Sequence, residues 1–191
     1  MAGHSRGLLK CPKNRDRKKR LGPGIRWKVV LDNLRSGYNT GSIIRNADAF
    51  GFSEVVLGGN SPAQANRALK SAAMGAETWV RQSCVKDLGS FIRRQRNRQI
   101  IGLEITPLSI PINKFTFSKS GLLIVGNEEK GISPEIRSLC HQFVFIPMTG
   151  RKYSLNVSSA FAVAACRIRD YLCKKSTTKE QGAYRPLQKE E

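Results

Sequence analysis

Short apolar runs alternate with segments of helical periodicity along most of the chain. Apolar runs typical of β-strands cover residues 27–31, 55–57, 78–80, 100–105, 122–125 and 143–146. Apolar residues at helical spacing predict helices over residues 39–50, around 63–73 and 85–96, from 134 and after 156. This alternation favours an α/β fold in which helices cover both faces of a mostly parallel sheet. In such sheets, ligands bind at the edge where the strands end.

The alternating pattern is flanked by two polar ends. Residues 1–24 form a basic arm with few apolar side chains, and residues 176–191 form a polar tail. The arm has too little apolar surface to offset the entropy cost of ordering it, so we expect it to be flexible in the free protein. Residues 25–175 are long enough for one domain with its own core.

Composition narrows the choice of partner. The 191 residues include 33 Lys and Arg against 14 Asp and Glu, which gives a net charge of +19 and a pI near 10.3. A field of this size attracts polyanions, so we expect nucleic acid as the partner, with an anionic membrane surface as the alternative. No apolar run approaches the ~20 residues of a spanning helix. The N-terminus has no signal-peptide pattern, and we therefore expect a cytoplasmic protein.

The five cysteines are scattered along the chain and form no C-x-x-C pair. An odd number without regular spacing indicates free thiols rather than a disulfide framework. With only two histidines, the chain has too few soft ligands at workable spacing for a zinc site. We therefore expect no metal.

The first informative loop follows the run at 27–31 and leads into the helix at 39–50. Ile43, Ile44 and Ala47 share one face of this helix, whereas Arg45 points away from that face. Arg45 is therefore predicted to be exposed or to lie in a cleft. Taken alone, the position is better explained by a surface arginine that pairs weakly with Asp48.

The second loop follows the run at 122–125. The strand is expected to end at Gly126, and a helix begins with Ser133 as its cap and Pro134 at its first position. The loop between them is acidic and polar and is bracketed by glycines, which leaves backbone groups accessible to a ligand. It matches neither G-x-G-x-x-G nor the G-x-x-x-x-G-K-[ST] phosphate loop, so a dinucleotide or a nucleoside triphosphate has no motif support.

The third loop separates the run at 143–146 from the last helix. Pro147 ends the run, and Asn156 can cap the helix. Helical spacing predicts a core face made of Val157, Phe161, Ala164, Ile168 and Leu172. Small residues on another side of the helix allow close approach of a second backbone: Ser158, Ser159, Ala162 and Ala165.

Taken together, the three loops resemble the three motifs of the SpoU (TrmH) class of SPOUT RNA methyltransferases, over roughly residues 29–172. The first motif is matched by Asn39-Thr40-Gly41-Ser42-Ile43-Ile44-Arg45-Asn46-Ala47-Asp48-Ala49-Phe50-Gly51. The second is matched by Ile124-Val125-Gly126-Asn127-Glu128-Glu129-Lys130-Gly131. The third is matched by Ile146-Pro147-Met148 and by Ser154-Leu155-Asn156-Val157-Ser158. Three motifs in this order are far more specific than any one of them.

The resemblance implies methylation of a ribose 2'-hydroxyl in tRNA or rRNA with S-adenosylmethionine as the methyl donor. Of the two RNA classes, tRNA is favoured, because some family members that act on rRNA have a separate N-terminal RNA-binding domain and this chain has a basic arm. The resemblance also implies a homodimer whose active sites use both subunits, and a deep trefoil knot in the C-terminal part. The sequence pattern alone predicts an unknotted sheet, because threaded chains are very rare.

Individual residues are assigned by their positions in the motifs. Arg45 corresponds to the family's catalytic arginine, and the other polar motif residues are Asn39, Glu128, Ser154 and Asn156. The cofactor positions are Gly126, Ile146 and Leu155, with Val125, Asn127 and Met148 beside them. Contacts with RNA phosphate are expected from basic residues of the third loop and of the arm, namely Arg151, Lys152, Lys18, Lys19 and Arg20.

A guanidinium keeps its proton, so Arg45 is predicted to act electrostatically, by gripping a phosphate and stabilising the developing alkoxide. Glu128 is predicted to orient Asn39 or Arg45. Three alternatives stay open: a non-catalytic RNA-binding protein with the same fold, an enzyme that methylates a base nitrogen, and a DNA-binding protein. RNA is favoured over DNA because only RNA has the 2'-hydroxyl and no helix-turn-helix or zinc-finger spacing is visible.

Overall fold

The computed structural model describes residues 26–63 and 65–177, and the arm with Lys18, Lys19 and Arg20 and most of the tail lie outside them. Its centre is a seven-stranded sheet in the order β3-β2-β1-β6-β4-β7-β5, in which every pairing is parallel. The strands are β1 (Arg26–Asp32), β2 (Glu54–Gly58), β3 (Gln82–Val85), β4 (Gln99–Leu103), β5 (Ile110–Pro111), β6 (Ser120–Val125) and β7 (Gln142–Phe145). The predicted parallel α/β fold is confirmed.

Helices cover both faces of this sheet. They are α1 (Gly37–Phe50), α2 (Arg67–Ala73), α3 (Leu88–Arg93), α4 (Pro134–Arg137) and α5 (Val157–Thr177), with a 3-10 turn at Ala76–Thr78. Successive side chains of a strand point to opposite faces. Accordingly, Val29 and Leu31 belong to the apolar cluster that holds α1, α2 and α5, whereas Val30 belongs to a second cluster with α3 and α4.

The central strands are buried on both faces, which explains their continuous apolar runs. Val29, Val30 and Leu31 of β1 have no exposed surface, and the same is true of Leu123 and Ile124 of β6. The sheet therefore holds the loops that follow β1 and β6 on a rigid base.

Two short elements at the sheet edges differ from the prediction. The strand predicted at 78–80 is wrong: the chain makes a 3-10 turn there, and β3 starts only at Gln82. The Gln82 amide donates to the carbonyls of Glu77 at 2.8 Å and Val80 at 3.3 Å, which holds the turn against the strand. The two-residue strand β5 was not predicted; its Pro111 is tolerated because β5 lies at the edge and pairs only with β7.

Helix starts are set by polar caps just before them. The Ser36 hydroxyl accepts a hydrogen bond from the backbone amide of Asn39 at 3.2 Å, so α1 begins at Gly37 rather than at Asn39. Asn66 caps α2 and Asp87 caps α3 in the same way, which makes both helices shorter than predicted. Across the described residues, no helix combines the length and the hydropathy needed to cross a bilayer.

Candidate functional site

Three loops meet at the edge where the parallel strands end. They are residues 33–36 after β1, 126–133 after β6 and 146–156 after β7. β1 and β6 are direct neighbours in the sheet, and β7 is separated from β6 only by β4. Segments far apart in the chain are therefore brought together at the carboxyl edge, as expected for parallel sheets.

A chain of hydrogen bonds joins the three loops through their predicted polar residues. The Asn39 side-chain amide donates to Glu128 Oε1 at 2.8 Å, and the Asn156 amide donates to Asn39 Oδ1 at 3.0 Å. Asn156 Oδ1 in turn accepts from the backbone amide of Ser158 at 2.9 Å, which confirms Asn156 as the cap of α5. The sequence placed these residues in separate motifs, and the structure brings them into one cluster.

The Glu128 carboxylate is held by donors from the first loop. The backbone amides of Arg35 and Ser36 donate to its two oxygens at 3.0 and 3.1 Å, in addition to the Asn39 amide. Burial acts to raise the pKa of Glu128, but these hydrogen bonds outweigh it and hold the pKa below its ordinary value. A carboxylate that is ionised and already occupied by donors is a poor proton acceptor, so its role is to position Asn39 and the first loop.

Two further carboxylates fix the second loop, and the sequence reasoning missed both. Asp32 is buried and accepts from the Ser133 amide at 2.7 Å. Glu104 accepts from the Ile132 amide at 3.0 Å and from Arg137 at 3.1 Å. The signal available in the sequence was their position, because Asp32 is the last residue of β1 and Glu104 directly follows β4, at the carboxyl edge of the sheet.

Asn127 closes the second loop on itself and ties it to the first. Its backbone exchanges two hydrogen bonds of 2.9 Å with Gly131, and its side-chain amide donates to the carbonyl of Asn33 at 2.7 Å. Gly126, just before it, is packed so closely that a Cβ would lie 2.1 Å from the carbonyl carbon of Gly131. Only glycine fits at position 126.

A cavity of about 380 Å³ opens between the second and third loops. This is within the range of small-molecule sites. All six residues predicted at the cofactor line it: Val125, Gly126, Asn127, Ile146, Met148 and Leu155. Three of the predicted catalytic residues also line it: Glu128, Ser154 and Asn156. Leu103, Ile105 and Val157 add apolar surface, so the cavity combines an apolar wall with a polar rim.

Arg45 is not joined to this cluster within one chain. It is exposed on α1 and hydrogen-bonds none of Asn39, Glu128 and Asn156. Asn46, which the sequence reasoning passed over, instead lies seven residues after Asn39 on the same helix face, and its amide donates to the Ser158 carbonyl at 3.2 Å. The repeated asparagine at this spacing was the signal for a second contact between α1 and α5.

The loop before α5 is basic and exposed. Arg151 and Lys152 are both exposed, and the side chain of Tyr153 next to them is 89% exposed at the cavity. Arg151 and Lys152 do not line the cavity and are free to face a larger ligand.

Within residues 26–63 and 65–177, no three His, Cys, Asp or Glu side chains are grouped so that they could hold a metal ion.

Asn39→Asp is expected to lower the unfolding temperature at neutral pH, because it places a second carboxylate beside Glu128. Two close carboxylates raise each other's pKa. A pKa that is raised on folding gives stability at low pH that is lost as the pH rises, so the deficit of the variant should shrink as the pH falls toward 4. Thermal unfolding between pH 8 and 4 measures this, with Asn113→Asp at an exposed position as the charge control. A deficit independent of pH would contradict the prediction.

Comparison with known proteins identifies relatives of this arrangement. A sequence model described as the SpoU rRNA Methylase family matches residues 26–166. The chain is 31% identical over 147 residues to the 23S rRNA (guanosine-2'-O-)-methyltransferase RlmB of Acinetobacter baylyi, covering 74% of this chain and 59% of the relative. It is 29% identical over 137 residues to the tRNA (guanosine(18)-2'-O)-methyltransferase of Escherichia coli, covering 71% of this chain and 59% of the relative.

A solved structure shows the same fold. The AdoMet-bound rRNA methyltransferase of Sinorhizobium meliloti superposes with a TM-score of 0.72 at 28% identity, covering 82% of this chain and 60% of that chain. The chain thus spans about three fifths of the length of these relatives. The shared part includes the sheet and all three loops at its carboxyl edge.

Proposed function

Because the chain belongs to the SpoU rRNA methylase family over residues 26–166, we propose that it transfers a methyl group from S-adenosylmethionine to a ribose 2'-hydroxyl of tRNA or rRNA. The observation that carries this proposal is the hydrogen-bonded set of Glu128, Asn39 and Asn156 beside the 380 Å³ cavity. The names of two relatives, one for 23S rRNA and one for tRNA, support RNA as the substrate.

The residues around the cavity fit S-adenosylmethionine. Ile146, Leu155 and Val157 offer an apolar wall for a planar base, while the carboxylate of Glu128 lies at the same cavity as a counter-charge for a sulfonium. When bound, S-adenosylmethionine supplies an electrophilic methyl group. The acceptor of that group would be the ribose 2'-oxygen, and the proton of its hydroxyl would leave to phosphate or water.

The protein's own contribution is alignment and charge. Asn39, held between Glu128 and Asn156, fixes the start of α1 against the start of α5, so the reacting groups are aligned by a rigid frame. Arg45 stays charged, binds a phosphate next to the target ribose and stabilises the developing alkoxide. Arg151 and Lys152 bind further phosphates at the rim of the site.

We also propose that the active form is a homodimer. Arg45 is exposed and is not joined to the Glu128 cluster of its own chain, which supports completion of the site by a second copy. Exposed apolar side chains on α1 and α5, Tyr38 at 62% and Val163 at 44%, support an interface on these helices. The mass in solution from light scattering tests this, and a monomer that methylates RNA at full rate would contradict it.

The deep trefoil knot is proposed on the family resemblance. The sheet order is consistent with it, since β7 lies between β4 and β5, which come earlier in the chain. A cytoplasmic location is likewise proposed, supported by RNA as the substrate class and by the free thiols of Cys84, Cys140 and Cys166. Thiols in this state are typical of reducing compartments.

Two measurements test the proposed reaction. Calorimetric titration with S-adenosylmethionine should give saturable heat, whereas no heat at high micromolar cofactor would favour a non-catalytic RNA-binding protein. Transfer of a labelled methyl group to bulk tRNA or rRNA, followed by alkaline hydrolysis, should leave the label in dinucleotides, because a 2'-O-methyl blocks cleavage at its own nucleotide. Label in mononucleotides would indicate methylation of a base instead.

Removal of residues 1–24 is expected to flatten the salt dependence of RNA binding. For each phosphate that the protein no longer neutralises, the slope of log Kd against log salt falls by roughly 0.7 to 0.9. Removal of the basic arm should therefore lower the slope by about two or more. Filter binding to bulk tRNA between low and physiological salt measures the slope, with removal of residues 178–191 as the control. An unchanged slope would make the arm a passive tail.

A further inference from the structure

Cations line the edge of the sheet at which the strands begin, opposite the candidate site. We call them the amino-edge cluster, and its members are Arg26, Arg81, Arg94, Arg96, Arg98 and Lys119. Four of them stand at or directly before the first residue of a strand, and the other two lie in the turn between α3 and β4. Five of the six side chains are exposed and Arg98 is partly exposed.

Hydrogen bonds hold three members of the amino-edge cluster next to one another. The Arg26 amide donates to the carbonyl of Lys119 at 3.0 Å, and the Arg98 guanidinium donates to the carbonyl of Arg26 at 2.7 Å. The turn that carries Arg94 and Arg96 is closed by a hydrogen bond of 2.9 Å, which the Arg98 backbone amide donates to the Gln95 carbonyl. The cations are therefore presented by a fixed backbone.

Among the described residues, Arg81 is the only member of the cluster that forms an ion pair with a carboxylate. The Glu54 side chain is only 5% exposed and already has Lys28 at 2.7 Å as well as Arg81 at 3.7 Å. Glu135 pairs at 3.3 Å with Arg93, which we therefore leave out of the cluster. Like charges this close repel one another, so this edge has an excess of positive charge that a polyanion would relieve.

The cluster extends across the sheet edge and lies far from the candidate site. From β3 to β4 there are four strand spacings, which gives a row about 19 Å long at about 4.8 Å per spacing. β1 has seven residues and therefore six steps between its ends, which are separated by about 20 Å at roughly 3.3 Å per residue. A phosphate at the amino edge therefore cannot belong to the nucleotide bound beside Glu128.

We propose that the amino-edge cluster is a second RNA-binding surface, which holds the backbone of the substrate RNA away from the nucleotide that is methylated. This proposal rests on the proposed function for the identity of the RNA as substrate. Five of the six members are arginines, whose planar fork binds phosphate oxygens in pairs. A row of about 19 Å is long enough to contact several successive phosphates of one strand.

The test uses the full chain and three exposed side chains: Arg94→Gln, Arg96→Gln and Lys119→Gln combined. With bulk tRNA and a 30-nucleotide poly(U) as probes, the slope of log Kd against log salt should fall by about two and the affinity at physiological salt by about tenfold or more. The matched control removes three exposed charges elsewhere on the chain: Arg67→Gln and Lys70→Gln on α2, and Lys86→Gln directly after β3. Affinity for S-adenosylmethionine should be unchanged in both.

Equal slopes in the triple variant and its control would overturn the proposal. Unchanged RNA binding together with weaker binding to anionic phospholipid vesicles would overturn it in favour of a membrane surface. If the wild-type chain binds no S-adenosylmethionine while the triple variant still loses RNA affinity, the proposed reaction fails and the second surface stands. If the wild-type chain methylates RNA and the triple variant binds RNA equally well, the second surface fails and the reaction stands.

Discussion

Arg45→Lys is expected to lower the single-turnover rate of methyl transfer by about a hundredfold or more, with little change in affinity for S-adenosylmethionine. Lysine keeps the positive charge but loses the planar fork that can hold two phosphate oxygens at once. Because Arg45 is exposed on α1 and is not part of the hydrogen-bonded cluster, the substitution should leave the fold intact.

The rate is measured by rapid quench at neutral pH with saturating labelled S-adenosylmethionine and RNA. Arg67→Lys on α2 is the matched control, since it makes the same chemical change at another exposed helix position. A near-full rate for Arg45→Lys would show that a positive charge alone is enough for methyl transfer and that bidentate hydrogen bonding to phosphate is not needed. A parallel decrease in Arg67→Lys would point to a general effect on RNA binding.

Gly126→Ala is expected to abolish measurable binding of S-adenosylmethionine and to lower the unfolding temperature. The added Cβ would lie 2.1 Å from the carbonyl carbon of Gly131 and 2.2 Å from the amide nitrogen of Ile132. Both are backbone atoms that cannot rotate away, so the paired turn from Asn127 to Gly131 has to open. Overpacking of this kind costs about 3 kcal/mol, or roughly 6–12 °C for a domain of this size.

Gly150→Ala is the matched control for this prediction. It adds the same methyl group in the third loop, where no atom lies within 4 Å of the new Cβ. Calorimetric titration and thermal unfolding of both variants separate a steric effect at position 126 from a general decrease in loop flexibility. Wild-type affinity in Gly126→Ala would mean that the second loop does not shape the cofactor site.

The electrostatics of Glu128 limit the mechanisms available to the cluster. Its pKa is lowered by donors from Arg35, Ser36 and Asn39, so at neutral pH it is a charged acceptor rather than a proton shuttle. For the proposed reaction, we therefore expect the proton of the 2'-hydroxyl to leave to phosphate or water.

Helix positions could be predicted from local pattern, and short edge strands could not. The core residues of α5, from Phe161 to Leu172, repeat at helical spacing because one face packs on the sheet, and the structure buries them as predicted. β3 and β5 contain four and two residues, respectively, and each pairs with a single neighbour. Such strands are fixed by the partner strand, and their own residues contain little signal.

The α/β alternation, the strongly positive charge and the order of the three motifs could be read from the sequence, because they depend on local periodicity and composition. The folded chain was needed to show that Asn39 hydrogen-bonds Glu128, 89 residues later, and Asn156, 117 residues later. It also showed that Arg26 and Arg98, 72 residues apart, contact each other at the opposite edge. The physical reason is that a parallel sheet gathers all strand ends at one edge and all strand starts at the other, whatever their separation in the chain.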